Sequence, residues 1–160
     1  MKKIITGILR LQEALGTCLL AVFFLSILLQ IGARYTGQAL PWTEELAGYS
    51  FIWAVFMGAS VMVHHRAHFS FSFFKDRFAG RGKALYDIGV SAVLLCFAVP
   101  MFCYGIAIVA AFWDYNWITI PWMRMGYTWL CIPAAGFTMS LYSLRHMASD
   151  WRLARGENEK

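Results

Sequence analysis

The sequence has little charge, and long parts of it have none. Charged residues make up only 14% of the 160 residues, whereas hydrophobic residues make up 59%. Soluble domains carry about 25% charged residues, so this composition excludes an ordinary soluble domain. Four runs contain no charged residue: 14–33, 46–63, 88–113 and 125–144. As helices rising about 1.5 Å per residue, all four can cross the ~30 Å hydrocarbon core of a bilayer.

The runs predict the fold class directly. We expect an all-α integral membrane protein, with residues 1–160 forming a single membrane domain of four transmembrane helices. The approximate spans are residues 12–34, 45–64, 87–113 and 124–145.

The four runs also lack ionisable side chains, which excludes several functions. Channels, pumps and proton-coupled carriers place such groups within the membrane to bind an ion or relay a proton. A four-helix haem protein needs axial histidines inside the bundle. The histidines of this chain lie at or beyond the ends of the runs: His64, His65, His68 and His146. With no recognisable nucleophile and base and no phosphate loop, we expect neither enzyme activity nor a cofactor.

Basic residues are unevenly distributed between the runs. Three precede the first run, five lie between the second and third, and four follow the last, whereas only Arg34 and Arg124 lie in the other two connections. Cytoplasmic segments are enriched in Lys and Arg, so this pattern predicts that both termini are cytoplasmic. A nucleic-acid partner is not favoured, because the basic residues are divided among short segments. The apolar run continues fifteen residues past Cys18, which predicts a retained helix rather than a cleaved signal.

The connection between the second and third runs has an amphipathic pattern. Three phenylalanines at helical spacing lie beside two basic residues: Phe71, Phe74, Phe78, Lys75 and Arg77. This pattern predicts a short interfacial segment over residues 68–80 on the cytoplasmic side of the membrane. His64 and His68 have the spacing of helical metal ligands, but Arg66 lies between them and no acidic or cysteine ligand is near. We therefore expect no metal site there.

The connection between the first and second runs contains helix-start signals. Pro41 ends any helix that continues from the first run, and Thr43 is a candidate N-cap for the second. Glu44 and Glu45 would lie in the first turn, where acidic side chains complement the helix dipole. Two interpretations remain open for these glutamates: they help to start and place the helix, or they contact a partner protein.

Tryptophan and tyrosine are concentrated in the segments predicted to lie outside the cytoplasm. Such side chains favour the boundary between lipid and water, so we expect an aromatic belt on that side. Its predicted members are Tyr35, Trp42, Trp113, Tyr115, Trp117, Trp122 and Tyr127.

Packing signals within the runs are modest. Ala54 with Gly58, and Ala107 with Ala111, are small residues four positions apart, which lets helices approach closely. Pro100 and Pro133 are candidate kinks. The polar residues fit ordinary hydrogen bonds between helices, and they include Ser26, Gln30, Ser50, Ser60, Ser91, Thr128 and Thr138. The four cysteines are expected to be inert buried thiols: Cys18, Cys96, Cys103 and Cys131.

Several short motifs occur in a defined order along nearly the whole chain. The first run is followed by Arg34-Tyr35, and the second opens with Pro41-Trp42-Thr43-Glu44-Glu45-Leu46, contains Gly58 and is followed by His68. The fourth run is preceded by Ile120-Pro121-Trp122 and contains Ile132-Pro133-x-x-Gly136-Phe137. In this order and spacing the motifs resemble the small membrane subunit, the DctQ or Q-type component, of tripartite ATP-independent periplasmic (TRAP) transporters. After His68 the chain departs from the family pattern, with Phe and Ser in place of acidic or aliphatic residues.

The resemblance implies an accessory or scaffold subunit in the bacterial inner membrane, without a transport path of its own. Its partners would be a large multi-span membrane subunit, which binds sodium and moves the substrate by an elevator motion, and a periplasmic substrate-binding protein. The substrate would be an organic acid of the sialic acid or C4-dicarboxylate class. Candidate residues for the partner interface or for structure are Arg34, Trp42, Glu44, Glu45, His68, Pro121, Trp122, Pro133 and Gly136.

Two other classes of function compete with this one. A stand-alone small four-helix transporter is expected to place a carboxylate in its first span, and residues 14–33 contain none. A membrane anchor subunit of a redox complex is expected to carry haem-ligating histidines within its spans, where this chain has none.

Overall fold

The computed structural model describes residues 2–67 and 81–155. Within them lie the helices α1 (Lys2–Tyr35), α2 (Pro41–His64), α3 (Arg81–Ala111), the short α4 (Met125–Trp129) and α5 (Cys131–Ala154). The described part of the chain contains no β-strand, which confirms the all-α class. Among the described residues, three helices are long and apolar enough to cross a membrane: Lys3–Tyr35, Pro41–His64 and Gly82–Ala111. The predicted interfacial segment, residues 68–80, lies outside the described residues.

The long helices pack as two antiparallel pairs. Helix α1 packs along α2, α3 packs along α5, and contacts between α2 and α5 join the pairs. Helices α2 and α5 run in the same direction, because the Ser60 hydroxyl contacts the Thr138 hydroxyl and Arg66 further along α2 contacts Asp150 further along α5. This parallel contact holds the two pairs together in one register.

The bundle has two distinct ends. We call one the loop end, because it contains the connections 36–40 and 112–124. The other is the terminal end, where α1 and α3 begin and α2 and α5 finish. An apolar cluster drawn from the four long helices packs in the interior: Ile5, Val63, Ala98, Met139 and Tyr142.

The surface of the bundle is apolar, while its interior is rich in polar groups. On α3, Val93, Phe97 and Tyr104 are 72%, 66% and 72% exposed. By contrast, Gln12 and Thr138 are buried. A soluble protein rarely exposes large contiguous apolar patches, whereas helices in lipid associate through close packing and interhelical hydrogen bonds. The distribution is therefore the one that a bilayer requires.

Helix α2 begins before the residue predicted to cap it. The helix starts at Pro41, and Leu40 is its N-cap residue without a side-chain capping bond. Thr43 lies in the first turn and its hydroxyl donates back to the Leu40 carbonyl at 2.7 Å. The prediction of Thr43 as the N-cap was therefore wrong. Proline suits the first helical position, because its φ is already helical and its missing N–H is not needed there.

The fourth apolar run forms two helices rather than one kinked helix. Helix α4 ends at Trp129 and α5 starts at Cys131. Pro133 has no N–H to donate to the Trp129 carbonyl, so the helical bonding is interrupted one turn before it. Pro133 thus lies in the first turn of α5, and Pro100 lies inside α3. Helix α5 also continues past the predicted boundary at residue 145 to Ala154.

Two glycines let α3 and α5 approach each other closely. A Cβ on Gly136 would lie 2.6 Å from the backbone nitrogen of Phe102, and a Cβ on Gly105 would lie 2.8 Å from the nitrogen of Pro133. These separations are too short for real carbon atoms, so a larger residue at either position would push the helices apart. Gly136 was a predicted structural candidate, whereas Gly105 was missed.

The predicted small-residue pairs had different outcomes. Ala54 and Gly58 lie against α1, since a Cβ on Gly16 would be 3.9 Å from the Ala54 carbonyl oxygen and 4.0 Å from the Gly58 nitrogen. Ala107 and Ala111 are exposed, so a close helix contact at this pair stays a prediction. The expectation of buried thiols holds for Cys131 but was wrong for three exposed cysteines: Cys18, Cys96 and Cys103.

Candidate functional site

A buried chain of hydrogen bonds joins α1, α2 and α5. The Gln12 side-chain amide donates to the Thr138 hydroxyl at 2.9 Å, and the Tyr142 hydroxyl donates to Gln12 Oε1 at 2.8 Å. The hydroxyls of Thr138 and Ser60 are 3.3 Å apart. All four residues are buried, and satisfied polar groups of this kind stabilise helix association in lipid. Ser60 and Thr138 were predicted to make such bonds, whereas Gln12 precedes the first charge-free run and was missed.

Arg66 joins three helices at the terminal end. Its guanidinium donates to Asp150 Oδ1 on α5 at 2.9 Å and lies 3.5 Å from Asp87 Oδ2 on α3. Its Nε also donates to His146 Nδ1 at 3.1 Å. The Asp150 side chain is only 5% exposed, and burying a carboxylate is costly unless a cation such as this guanidinium lies beside it. We call Arg66, Asp87, His146 and Asp150 the Arg66 cluster.

The Arg66 cluster fixes the tautomer of His146. Because Nδ1 accepts from Arg66, the proton lies on Nε2, which donates to the His64 carbonyl at 3.1 Å. Burial and the neighbouring Arg66 guanidinium lower the pKa of His146 below its ordinary value, although the bond to His64 opposes them. His146 lies beyond the predicted span 124–145, yet it remains inside α5 because that helix is longer than predicted.

The backbone of Arg66 has a conformation that usually belongs to glycine. Its φ is +53°, and the Arg66 and Ala67 amides donate to the carbonyls of Val63 and Met62 at 3.2 and 3.0 Å. This is the Schellman arrangement that ends helices, normally with glycine at the left-handed position. A larger residue there costs about 1 kcal/mol. The side-chain bonds of Arg66 offset that cost.

Glu45 binds the connection between α3 and α4 at the loop end. Its carboxylate accepts the Ile118 amide at 3.0 Å, the Thr119 amide at 2.9 Å and also the Thr119 hydroxyl. Glu45 therefore ties the start of α2 to a segment more than seventy residues away along the chain. Neither sequence interpretation of Glu45 included this internal role.

Trp117 belongs to the same connection, and its side chain is buried. Its indole N–H donates to the Thr128 hydroxyl at 2.9 Å, and its ring centroid is 4.5 Å from that of Tyr49. Because it is only 7% exposed, the prediction that Trp117 belongs to an exposed aromatic belt was wrong. Tyr35 and Trp122 are 89% and 82% exposed, as residues of such a belt should be.

The candidate residues taken from the sequence do not converge on one site. Five are exposed at the loop end: Arg34, Trp42, Glu44, Pro121 and Trp122. Arg34 and Glu44 border a surface pocket of about 380 Å³ there. Pro133 and Gly136 are buried at the contact between α3 and α5. His68 lies outside the described residues.

The arrangement of these groups is structural in character. Among the described residues, no three His, Cys, Asp or Glu side chains are grouped to hold a metal ion. The polar groups detailed above bind one another or the backbone and so connect the helices. Together with the apolar exterior, they define a helical membrane protein whose buried polar groups fix its shape.

Comparison with protein families then gives this class a more specific identity. The model for tripartite ATP-independent periplasmic transporters, DctQ component, matches residues 10–153. The chain therefore belongs to the DctQ family, the small membrane component of TRAP transporters, which confirms the resemblance drawn from its motifs. In this family the small component works with a large membrane subunit and a periplasmic binding protein. Comparison with curated proteins gave no match.

Proposed function

We propose that this chain is the accessory scaffold subunit of a sodium-driven TRAP transporter that imports an organic acid of the sialic acid or C4-dicarboxylate class. The observation that carries this proposal is how the bundle uses its charges. Arg66 engages both Asp87 and Asp150, while the Glu45 carboxylate binds the backbone of the chain itself. Charges engaged in this way are not available to bind sodium or a carboxylate substrate.

In this proposal, substrate and sodium bind to the large subunit, and this chain carries no cofactor. A moving element in the large subunit needs a stationary part that resists displacement in the bilayer. The buried bonds from Gln12, Ser60 and Thr138 and the Arg66 cluster cross-link α1, α2, α3 and α5. A bundle tied in this way is suited to enlarging the stationary part. The periplasmic binding protein would deliver the substrate to the assembled transporter.

We also propose four crossings of a bacterial inner membrane, with α4 and α5 together forming the fourth. Helix α5 packs antiparallel along α3, which is long enough to span, and it presents apolar side chains such as Phe137 and Leu144, 53% and 50% exposed. The terminal end would be cytoplasmic, because most basic residues lie in the segments that meet there. The proposed interfacial segment 68–80 would lie on that side.

Reconstitution tests the scaffold function. Liposomes containing the large subunit and this chain, supplied with the binding protein outside, should take up sialic acid or a C4-dicarboxylate under an inward sodium gradient. Liposomes with this chain alone should show no uptake, and those with the large subunit alone give the matched control. Sodium-driven uptake by the isolated chain would overturn the proposal in favour of a stand-alone transporter.

Reporter fusions test the topology. Fusions after Gln38 and after Asn116 should be active only with a periplasmic reporter, because both positions lie at the loop end. Fusions after Gly80 and at the C-terminus should be active only with a cytoplasmic reporter. If the fusion after Asn116 and the C-terminal fusion reported the same compartment, the fourth crossing would be disproved.

A further inference from the structure

A groove of about 330 Å³ runs between α1 and α2 on the surface of the bundle. We call it the α1–α2 groove, and its lining includes Glu13, Gly16, Thr17, Ala54, Val55 and Gly58. A neighbouring pocket of about 410 Å³ shares Thr17 and Leu20 with it and extends along α1 to Phe24. From Glu13 to Phe24 the two cover about 16 Å of helix, at 1.5 Å per residue. That length is about half the thickness of a hydrocarbon core.

The depth of the groove comes from glycine and alanine. The Gly58 backbone lies against α1, yet a Cβ on Gly58 would meet no atom within 4 Å, so this contact does not require a glycine at position 58. Glycine inside a helix costs about 1 kcal/mol relative to alanine. In membranes, small residues on a helix surface let the backbone of a second helix approach closely. On α3, by contrast, large side chains such as Phe97 and Tyr104 project outward, as lipid-facing positions allow.

The terminal end of the groove carries a negative charge. The Glu13 side chain is 45% exposed and lies 3.3 Å from His65, whose own side chain is 52% exposed. Asp87 and Asp150, by contrast, are bound to Arg66. Glu13 directly precedes the first charge-free run, where a carboxylate is costly unless it meets a cation. Lysine or arginine is its chemical complement, and an acyl chain brings no such charge.

We propose that the α1–α2 groove seats a transmembrane helix of the large membrane subunit, with a basic residue of that helix against Glu13. The proposal rests on the proposed function, because it names where the partner of the scaffold docks. The partner helix lies over Gly16 and Gly58, where its backbone can approach most closely. Its basic residue lies at the terminal end, level with the Glu13 carboxylate.

Filling the groove tests this contact. The Cβ that Gly58→Leu adds would meet no atom within 4 Å, so we expect the substitution to leave the packing of the chain intact while excluding the partner helix. Recovery of the large subunit with the purified variant should fall at least tenfold relative to wild type. Gly89→Leu is the matched control, because Gly89 on α3 also has no atom within 4 Å of an added Cβ. Its recovery of the large subunit should be unchanged. Glu13→Gln should lower recovery about fivefold.

Photo-cross-linking gives a measurement that does not depend on weakened assembly. A photoreactive amino acid at Val55 in the groove should cross-link to the large subunit in the wild-type background. The same amino acid at Val93 on α3, which is 72% exposed, should not. Together with co-purification, this locates the partner directly.

The outcomes separate this proposal from the proposed function. If the wild-type chain itself recovers no large subunit, the proposed function fails. If wild type, Gly58→Leu and Gly89→Leu all recover it equally and Val55 gives no cross-link to it, the docking proposal fails alone. Cross-links from Val55 to a second copy of the chain, or to phospholipid instead of protein, would also overturn it by identifying a different occupant.

Discussion

Replacing Arg66 with glycine tests which of two opposing effects is larger at this position. The ion pairs of the Arg66 cluster favour arginine, whereas the left-handed backbone at the end of α2 favours glycine. Glycine suits the φ of +53° and should gain about 1 kcal/mol of stability from relaxed backbone. The same change leaves Asp150, whose side chain is 5% exposed, without its partner. Removing one member of a buried ion pair costs about 3 to 5 kcal/mol, and the lower value applies here because the Arg66 side chain is itself 32% exposed. We therefore expect Arg66→Gly to lower the free energy of unfolding by about 2 kcal/mol, or roughly 30-fold in the equilibrium constant.

The measurement is unfolding of the purified chain in mixed micelles, titrated with SDS and followed by helical circular dichroism. Asp150→Asn provides the double-mutant cycle, because it removes the carboxylate charge that Arg66 compensates. In that background the cost of Arg66→Gly should fall below about 1 kcal/mol. An Arg66→Gly protein as stable as wild type, or more stable, would refute the reasoning, since relief of the backbone would then outweigh the ion pairs.

Three further predictions concern Glu45, Gly136 and His146. Glu45→Gln should speed hydrogen exchange of the Ile118 and Thr119 backbone amides, measured by mass spectrometry, because the neutral glutamine side chain accepts weaker hydrogen bonds than the carboxylate. Glu44→Gln, at an exposed position, should leave their exchange unchanged. Gly136→Ala should lower the free energy of unfolding by about 2 kcal/mol, because the added Cβ would overpack the contact between α3 and α5. Gly89→Ala, whose Cβ would meet no atom within 4 Å, should raise it by up to about 1 kcal/mol. Equal effects of the two substitutions in SDS titrations would contradict the close contact between α3 and α5. The lowered pKa of His146 means that the fold favours its neutral form, so its stabilising contribution is complete above about pH 6.5 and is lost as the pH falls through the folded-state pKa. Unfolding titrations between pH 8 and 5 should show that the free energy of unfolding of the wild type declines, and that it declines less in His146→Gln. If the free energy of unfolding depended on pH equally in both proteins, His146 would not be its source.

The sequence alone was sufficient to predict features that depend on residues close to one another along the chain. Charge-free runs of helical length determine an all-helical chain, because a backbone in lipid must satisfy its own hydrogen bonds. The order and spacing of the motifs were enough to identify the family. Gly136 was a candidate because it belongs to the family motif Ile132-Pro133-x-x-Gly136-Phe137. Such features need no knowledge of which helices are neighbours.

Other features depended on how the helices are arranged. Glu45 binds amides more than seventy residues away, and Arg66 binds a carboxylate 84 residues away. The sequence places both acids of the Arg66 cluster in polar segments, but nothing local pairs them with that arginine. Gln12 and Gly105 were likewise missed, because their partners lie on other helices.

Composition and spacing determined that this chain forms apolar helices of the DctQ family, because hydrophobic length and helix-start signals act within a few turns. Only the tertiary structure decided that α2 packs against α5, that Glu45 ties down the loop and that Arg66 joins three helices. Those contacts depend on the rotation and register of each helix against its neighbours. The surface of the bundle is almost uniformly apolar, so the few buried polar and small residues select the register of the helices. The partners of these residues become adjacent only after the helices have packed.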